Sequence, residues 1–329
     1  MGKSRRTWIV GIAVLTALWS IVQNVEAGTV KFATGIDASF MQIVVAVEKG
    51  FMKKHGLDAE YKPFAYGMLA IEAMVAGEAD VAMGGEVAAL RPKAKGGKYT
   101  TVARPMYTKD LIGVAAIKGI NGPADFAGRT IGYSKGSGSD YFMNLYFKKY
   151  GVDLKSVKLL DAAPPELIPA MARGDIQVLF AWEPWFVRMK SVVKDAHVIA
   201  KSGENGVFTH QYLLNFSDAF LTQRREDARR TLLALIDATA WLNDPKNSDE
   251  AASLLVKAFR VPPDDAPRML KEIVYVMDLK KEFVDDVRRA AEWNKDQGFI
   301  TVESPAKLVD ELINPELLKS VAPGRVALP

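Results

Sequence analysis

Lys53-Lys54-His55-Gly56-Leu57-Asp58 returns 95 residues later as Lys148-Lys149-Tyr150-Gly151-Val152-Asp153. Ala73-Met74-Val75-Ala76-Gly77-Glu78 returns after 97 residues as Ala170-Met171-Ala172-Arg173-Gly174-Asp175. In each copy a helical run stops at a glycine, the residue that accepts a left-handed backbone at little cost. A short apolar run follows and reads as a strand. Two matches, in the same order and at nearly the same offset, describe one structural unit used twice.

Outward from these pairs the chain alternates strand and helix. Val30–Thr34, Leu57–Tyr61, Ala79–Met83, Thr100–Ala103 and Ile112–Ile117 read as strands, with helices over Phe40–Lys49 and Met68–Ala76. The second round has strands at Arg129–Tyr133, Val157–Leu160 and Ile176–Phe180, with helices over Asp140–Tyr150 and Glu166–Ala172. Such alternation implies largely parallel sheets covered by helices. After about Ser217 the pattern becomes helical, over Arg224–Leu242, Asp249–Phe259, Asp264–Met277 and Glu282–Gln297. The tail is expected to contain no strand and to complete the first lobe. The fold class is therefore α/β with two lobes, each a mixed sheet flanked by helices, and a ligand cleft between them. Residues 28–114 begin lobe 1, 115–212 form lobe 2, and 213–329 return to lobe 1. The chain crosses between lobes near Asp110–Lys118 and near His210–Asn215, which would serve as hinges.

The N-terminus reads as an export signal. Lys3, Arg5 and Arg6 precede a 15-residue apolar run, Trp8–Val22, and Val25-Glu26-Ala27 forms a small-residue cleavage site. A bilayer-spanning helix needs about 20 apolar residues, so cleavage after Ala27 is expected over a membrane anchor. The weak twin-arginine likeness of Arg5-Arg6 leaves the export route open. Removing residues 1–27 lowers the net charge from +4 to about +2, with no concentrated basic face of the kind nucleic acid requires. The chain has no cysteine, which excludes disulfides, a thiolate metal site, a Cys nucleophile and a lipidated N-terminal Cys. Its three histidines, His55, His197 and His210, show no metal-ligand spacing, and no Gly-x-Ser-x-Gly elbow is present. No cofactor, metal or catalytic residue is expected.

Lys49-Gly50-Phe51 with Lys54-His55-Gly56-Leu57, Asp125-Phe126-Ala127-Gly128-Arg129-Thr130, Ser134-Lys135-Gly136-Ser137 and Ala181-Trp182-Glu183-Pro184-Trp185 occur in order. Together they resemble the signatures of the nitrate, sulfonate and taurine binding proteins and their thiamine-pyrimidine relatives. The resemblance runs from about Val30 to Pro315. It implies a two-lobed periplasmic protein without catalysis that captures a small molecule and delivers it to an ABC permease driven by a cytoplasmic ATPase; a monomer is expected. A ligand-binding partner of a sensor system, or an enzyme on the same fold, are the alternatives.

In open α/β sheets ligands sit beyond the carboxyl ends of the strands. Four such ends carry candidate ligand-binding residues: Asp37, Ala38 and Ser39; Gly85 and Glu86; Gly136, Ser137, Gly138 and Ser139; and Trp182 and Glu183. The Ser134–Ser139 loop offers glycine-permitted backbone at a helix N-terminus, an anion seat, although Ser139 could serve as the helix cap instead. Trp182 offers a rigid wall to the ligand, with Trp185 and Phe186 assigned to the core. The 97-residue offset sets Glu86 on Glu183, so matching turns would present carboxylates to the cleft, with Asp37 as a third. An anion seat opposite carboxylates favours a zwitterion over a bare anion. The competing reading has Glu86 at the start of a helix, favouring its dipole or paired with Arg91.

Overall fold

The computed structural model describes residues 28–328, so the expected export signal, residues 1–27, lies outside the described residues. Two sheets form the frame. The strands of the first round are β1 (Val30–Thr34), β2 (Ala59–Pro63), β3 (Val81–Gly85) and β4 (Tyr99–Thr108). The second round contributes β5 (Ile112–Ala116), β6 (Thr130–Tyr133), β7 (Lys158–Asp161), β8 (Val178–Trp182) and β9 (His197–Lys201). The return to the first sheet adds β10 (His210–Ser217), β11 (Ile273–Lys280) and β12 (Val326–Ala327). The sheet orders are β12-β11-β4-β10-β3-β1-β2 and β7-β6-β8-β5-β9.

The repeat seen in sequence is a repeat in topology. β1 lies parallel between β2 and β3, and β6 lies parallel between β7 and β8. An antiparallel strand then flanks each unit, β10 against β3 and β5 against β8. The matched glycines share one conformation: φ is +72° at Gly56 and +68° at Gly151, and +86° at Gly77 and +85° at Gly174. A side chain at these positions would strain the backbone. Each lobe buries its sheet under helices. Ile43, Val44 and Val45 of helix Met41–Glu48 and Leu232 and Leu235 of helix Arg225–Leu242 are fully buried in lobe 1, and Phe142 of helix Gly138–Tyr150 is fully buried in lobe 2.

Two expectations change. The tail is not strandless. Helix Ala266–Lys271 stops early and β11 follows, pairing antiparallel with β4 from Ile273↔Thr108 to Asp278↔Arg104. The run Ile273-Val274-Tyr275-Val276 alternates buried and more exposed positions, a strand period that the apolar content had masked as helix. A buried ion pair fixes this pairing, with Arg104 Nε and Nη2 donating to Asp278 at 2.7 and 2.9 Å. The second change concerns the boundaries. β5 already belongs to the second sheet and β10 to the first, so the chain crosses over 109–111 and again over 202–209. The first crossing falls at the start of the expected Asp110–Lys118 span, whereas the second precedes the expected His210–Asn215 span, which is β10 itself.

Candidate functional site

The carboxyl ends of β1, β2, β3, β6, β7 and β8 converge on a cavity of about 150 Å³ between the sheets. A cavity of this volume holds a molecule about the size of benzene. Lobe 1 contributes Asp37, the Tyr66-Gly67-Met68 segment, Gly85, Ala88, His210 and Tyr212. Leu111, at the first crossing, joins lobe 2's Ile112, Ser134, Lys135, Ser137, Gly138, Asp161, Ala162, Ala163 and Trp182. The ring of Trp182 meets Tyr66 edge to face at 6.4 Å, so one aromatic from each lobe closes the same wall. Trp185 and Phe186 pack in the core, 3% and 1% exposed.

Of the residues singled out in sequence, Asp37, Gly85, Ser137, Gly138 and Trp182 line this cavity. Ala38 and Ser39 begin a buried 3₁₀ turn behind it, capped by Asp37, whose Oδ1 accepts from Ser39 N–H at 2.8 Å. Gly136 lies behind the rim, its N–H donating to Asp140 at 2.8 Å. The cap of helix Gly138–Tyr150 is Ser137 rather than Ser139. Its Oγ accepts from Ser139 N–H and Asp140 N–H at 3.2 and 3.4 Å, while Ser139 is fully buried.

The two glutamates do not present free carboxylates to the cleft. Glu86, 1% exposed, starts helix Glu86–Ala94, and its Oε2 lies 2.9 Å from Nδ1 of His210 and accepts from Gln211 N–H at 3.1 Å. Its partner is thus His210, not Arg91. Glu183, 2% exposed, meets Arg268 at 2.9 Å and Lys201 at 3.8 Å. The reason is the strand period: Gly85 and Trp182 end their strands facing the cavity, so the next residue turns away from it.

The carboxylates that do reach the cavity are Asp37 and Asp161. Burial pushes the Asp37 carboxyl up to about 6, partly offset by the Ser39 hydrogen bonds and by His210. Asp161, at the end of β7, is exposed at the rim and accepts from Lys135 N–H at 2.8 Å. Burial likewise lifts Asp140, below the cavity floor, to about 6.

Donors come from backbone more than side chains. Helix Gly67–Val75 has no side-chain cap, and among the described residues the N–H groups of Gly67 and Met68 have no protein acceptor. The Ser134–Ser139 loop is mostly self-satisfied, leaving the N–H groups of Ser134 and Gly138 as its open donors. Gly67 backs onto Gly84, and the His210 ring fills the space that a side chain at Gly85 or Gly138 would need. These glycines allow two backbones and an imidazole to approach one small volume.

Sequence reasoning passed over Tyr66–Met68, Asp161–Ala163 and His210. The first two groups end β2 and β7, equivalent strands of the repeat, and the same strand-end rule would have found them. His210 enters from β10, whose place beside β3 only the tertiary fold reveals.

The sequence profile described as NMT1/THI5 like matches residues 37–248. The chain belongs to the NMT1/THI5-like family. A binding protein of Brucella abortus is 28% identical over 57% of this chain, and the chain spans only 58% of that relative's length. The taurine-binding periplasmic protein of Escherichia coli K12 is 24% identical over 87% of this NMT1/THI5-like chain and 92% of its own. The alkanesulfonate-binding protein SsuA from Xanthomonas axonopodis pv. citri, solved bound to MOPS, superposes with a TM-score of 0.73 at 16% identity, covering 88% of this chain and 99% of that one. This NMT1/THI5-like chain thus has the two-lobed periplasmic-binding-protein fold. No helix among the described residues is long and apolar enough to cross a membrane, and no cluster of three or more metal-ligating His, Asp or Glu occurs among them.

Proposed function

We propose that this protein is the periplasmic solute-binding component of an ABC importer and that its solute is a small zwitterionic or cationic-headed organic compound. The observation that carries the reading is the inter-lobe cavity, where open N–H donors of Gly67, Met68 and Gly138 meet the carboxylates of Asp37 and Asp161. A sulfonate or carboxylate would sit on the backbone donors, and an ammonium or amino group would lie toward the aspartates. Trp182 and Tyr66 would cover the short chain between them. The volume of about 150 Å³ suits a molecule of the size of an amino-sulfonate or a single aminopyrimidine ring. The similarity to a taurine-binding and to an alkanesulfonate-binding protein supports this chemistry. Delivery to a membrane permease with a cytoplasmic ATPase, action as a monomer and cleavage of the export signal after Ala27 belong to the same proposal.

A thermal-shift screen of residues 28–329 against amino-sulfonates, alkanesulfonates, nitrate and aminopyrimidines tests it. A ligand at 100 times its Kd stabilises the folded state by about 2.7 kcal/mol, so a true solute raises Tm by several degrees. A flat response across the panel would overturn the reading.

A further inference from the structure

Two carboxylates line the cavity, and they differ in burial. Asp161 stands exposed at the rim, whereas Asp37 is 2% exposed. Asp37 Oδ1 accepts from Ser39 N–H at 2.8 Å. Among the described residues no N–H donor reaches Oδ2, and no Lys or Arg pairs with the carboxylate.

The groups packed around Asp37 are engaged elsewhere or neutral. His210, which faces it, sets Nδ1 2.9 Å from Glu86 Oε2 and rests its ring edge where side chains at Gly85 and Gly138 would lie. Tyr275 donates its hydroxyl to the Ala38 carbonyl at 2.6 Å. Burial pushes the Tyr212 phenol, on the cavity wall, well above its ordinary range, so it stays neutral. A buried carboxylate without a cation is costly. Burial accordingly lifts Asp37 to about 6, with the Ser39 bonds and His210 only partly offsetting it.

We propose that Asp37 is the specificity-determining residue for the solute's cationic end: its open Oδ2 accepts an N–H of the solute, so the cavity takes a positively charged nitrogen that carries hydrogen and rejects a fully methylated one. The inference deepens the proposed function and rests on it for the anionic end of the solute, though not for the seat itself. A trimethylated nitrogen has no N–H to place on Oδ2, and its methyl groups hold its charge further from the oxygen. They also compete for a cavity of about 150 Å³. Asp161 reads charge more weakly. Solvent screens an exposed carboxylate, and its Oδ1 already accepts from Lys135 N–H at 2.8 Å.

The test is calorimetric titration at pH 7.5 with taurine, with ethanesulfonate, which lacks the nitrogen, and with N,N,N-trimethyltaurine. The parent should bind taurine about a hundredfold more tightly than either analogue, the scale of a buried, hydrogen-bonded charge pair. Asp37→Asn keeps the shape and the Oδ1 acceptor, and it should bring the three compounds within about fivefold of one another. Asp161→Asn should change the preference by less than about fivefold. An Asp37→Asn protein that keeps the parent's preference would overturn the proposal, as would either analogue binding the parent as tightly as taurine. If Asp161→Asn removes the preference and Asp37→Asn does not, the zwitterionic reading stands and the seat at Asp37 falls. Carboxyl ¹³C spectra with methylammonium and tetramethylammonium chloride probe the seat without an anionic end. The Asp37 signal, assigned by its loss in Asp37→Asn, should shift with methylammonium and not with tetramethylammonium. If taurine and ethanesulfonate both fail to bind the parent while this shift appears, the amino-sulfonate reading falls and the seat stands. Without the shift, the seat falls whatever taurine does.

Discussion

The turns after β3 and after β8 are the same turn in two copies, and each carries a glutamate. In lobe 1, Glu86 pairs with His210 of its own lobe, whose ring touches the cavity. In lobe 2, Glu183 pairs with Arg268 and Lys201, and these two also bind Glu272 at 2.5 and 3.4 Å. Arg268 and Glu272 belong to lobe 1, so this second cluster ties the lobes together. It also sits beside the first crossing, because Thr108 Oγ1 donates to the Glu272 carbonyl at 2.6 Å and accepts from Asp110 N–H and Leu111 N–H. The repeat places a glutamate at both turns. What surrounds each makes one a neighbour of the cavity wall and the other a tie between the lobes beside the first crossing.

The preceding residues invert the assignment. Lobe 1 places Gly85 at the cavity and lobe 2 places Trp182 there. If Trp182 is the aromatic anchor that lobe 2 offers the solute, Trp182→Ala should lower solute affinity by about a hundredfold, the loss typical of a buried aromatic anchor, with Glu183 and its partners undisturbed. Calorimetry on the variant with the strongest compound from the thermal-shift panel checks this, and an unchanged affinity would remove the distinction between the turns.

The clasp should appear in stability rather than in contact with the solute. Glu183→Ala leaves Arg268 and Lys201 with Glu272 as their shared acceptor. Because Arg268 is partly exposed, the cost falls below that of a fully buried pair, at about 2 kcal/mol. Urea denaturation measures it. A loss under about 0.5 kcal/mol would mark the cluster as ordinary surface pairing.

A smaller effect separates Asp37 from both glutamates. Its carboxyl is raised from 3.8 to about 6 by burial, so the folded state holds the proton more tightly than the unfolded chain. Its favourable contribution is complete below pH 3.8 and is lost as pH rises through about 6. Asp140 acts in the same direction. Asp37→Asn should therefore stabilise the solute-free protein by about 1.5 kcal/mol at pH 7.5 and reduce the fall of Tm between pH 4 and 6, while weakening binding of an amino-bearing solute. A less stable variant at pH 7.5 would show that the buried carboxylate costs the fold nothing.

Much of the frame is legible in the residues because its punctuation is chemical. Gly56, Gly77, Gly151 and Gly174 end helices in left-handed backbone, and the strands that follow are short and apolar. β11 escaped because Ile273–Met277 is apolar enough to satisfy a helical period as readily as a strand period, and its pairing with β4 is decided by a partner some 170 positions away in sequence. At the site, strand ends with glycines and hydroxyls were readable, whereas Asp161 ends β7 with only alanines after it and Tyr66 stands three residues beyond β2, so the strand-end rule, which covers both, was not applied to them. The direction of Glu86 and Glu183 was unreadable for another reason. A side chain one position past a strand end faces opposite to its predecessor, and its partners arrive from β10 and helix Ala266–Lys271, elements added after the chain has left the repeat.

Calorimetric titration of residues 28–329 with taurine and with nitrate, at pH 7 and equal ionic strength, probes the charge pattern of the cavity most directly. Asp37 and Asp161, which share the cavity with the open backbone donors, should make taurine bind at least about tenfold more tightly than nitrate, since an unpaired anion facing these carboxylates loses about 1 kcal/mol or more. Nitrate binding as tightly as taurine, or more tightly, would contradict a cavity built for both signs of charge.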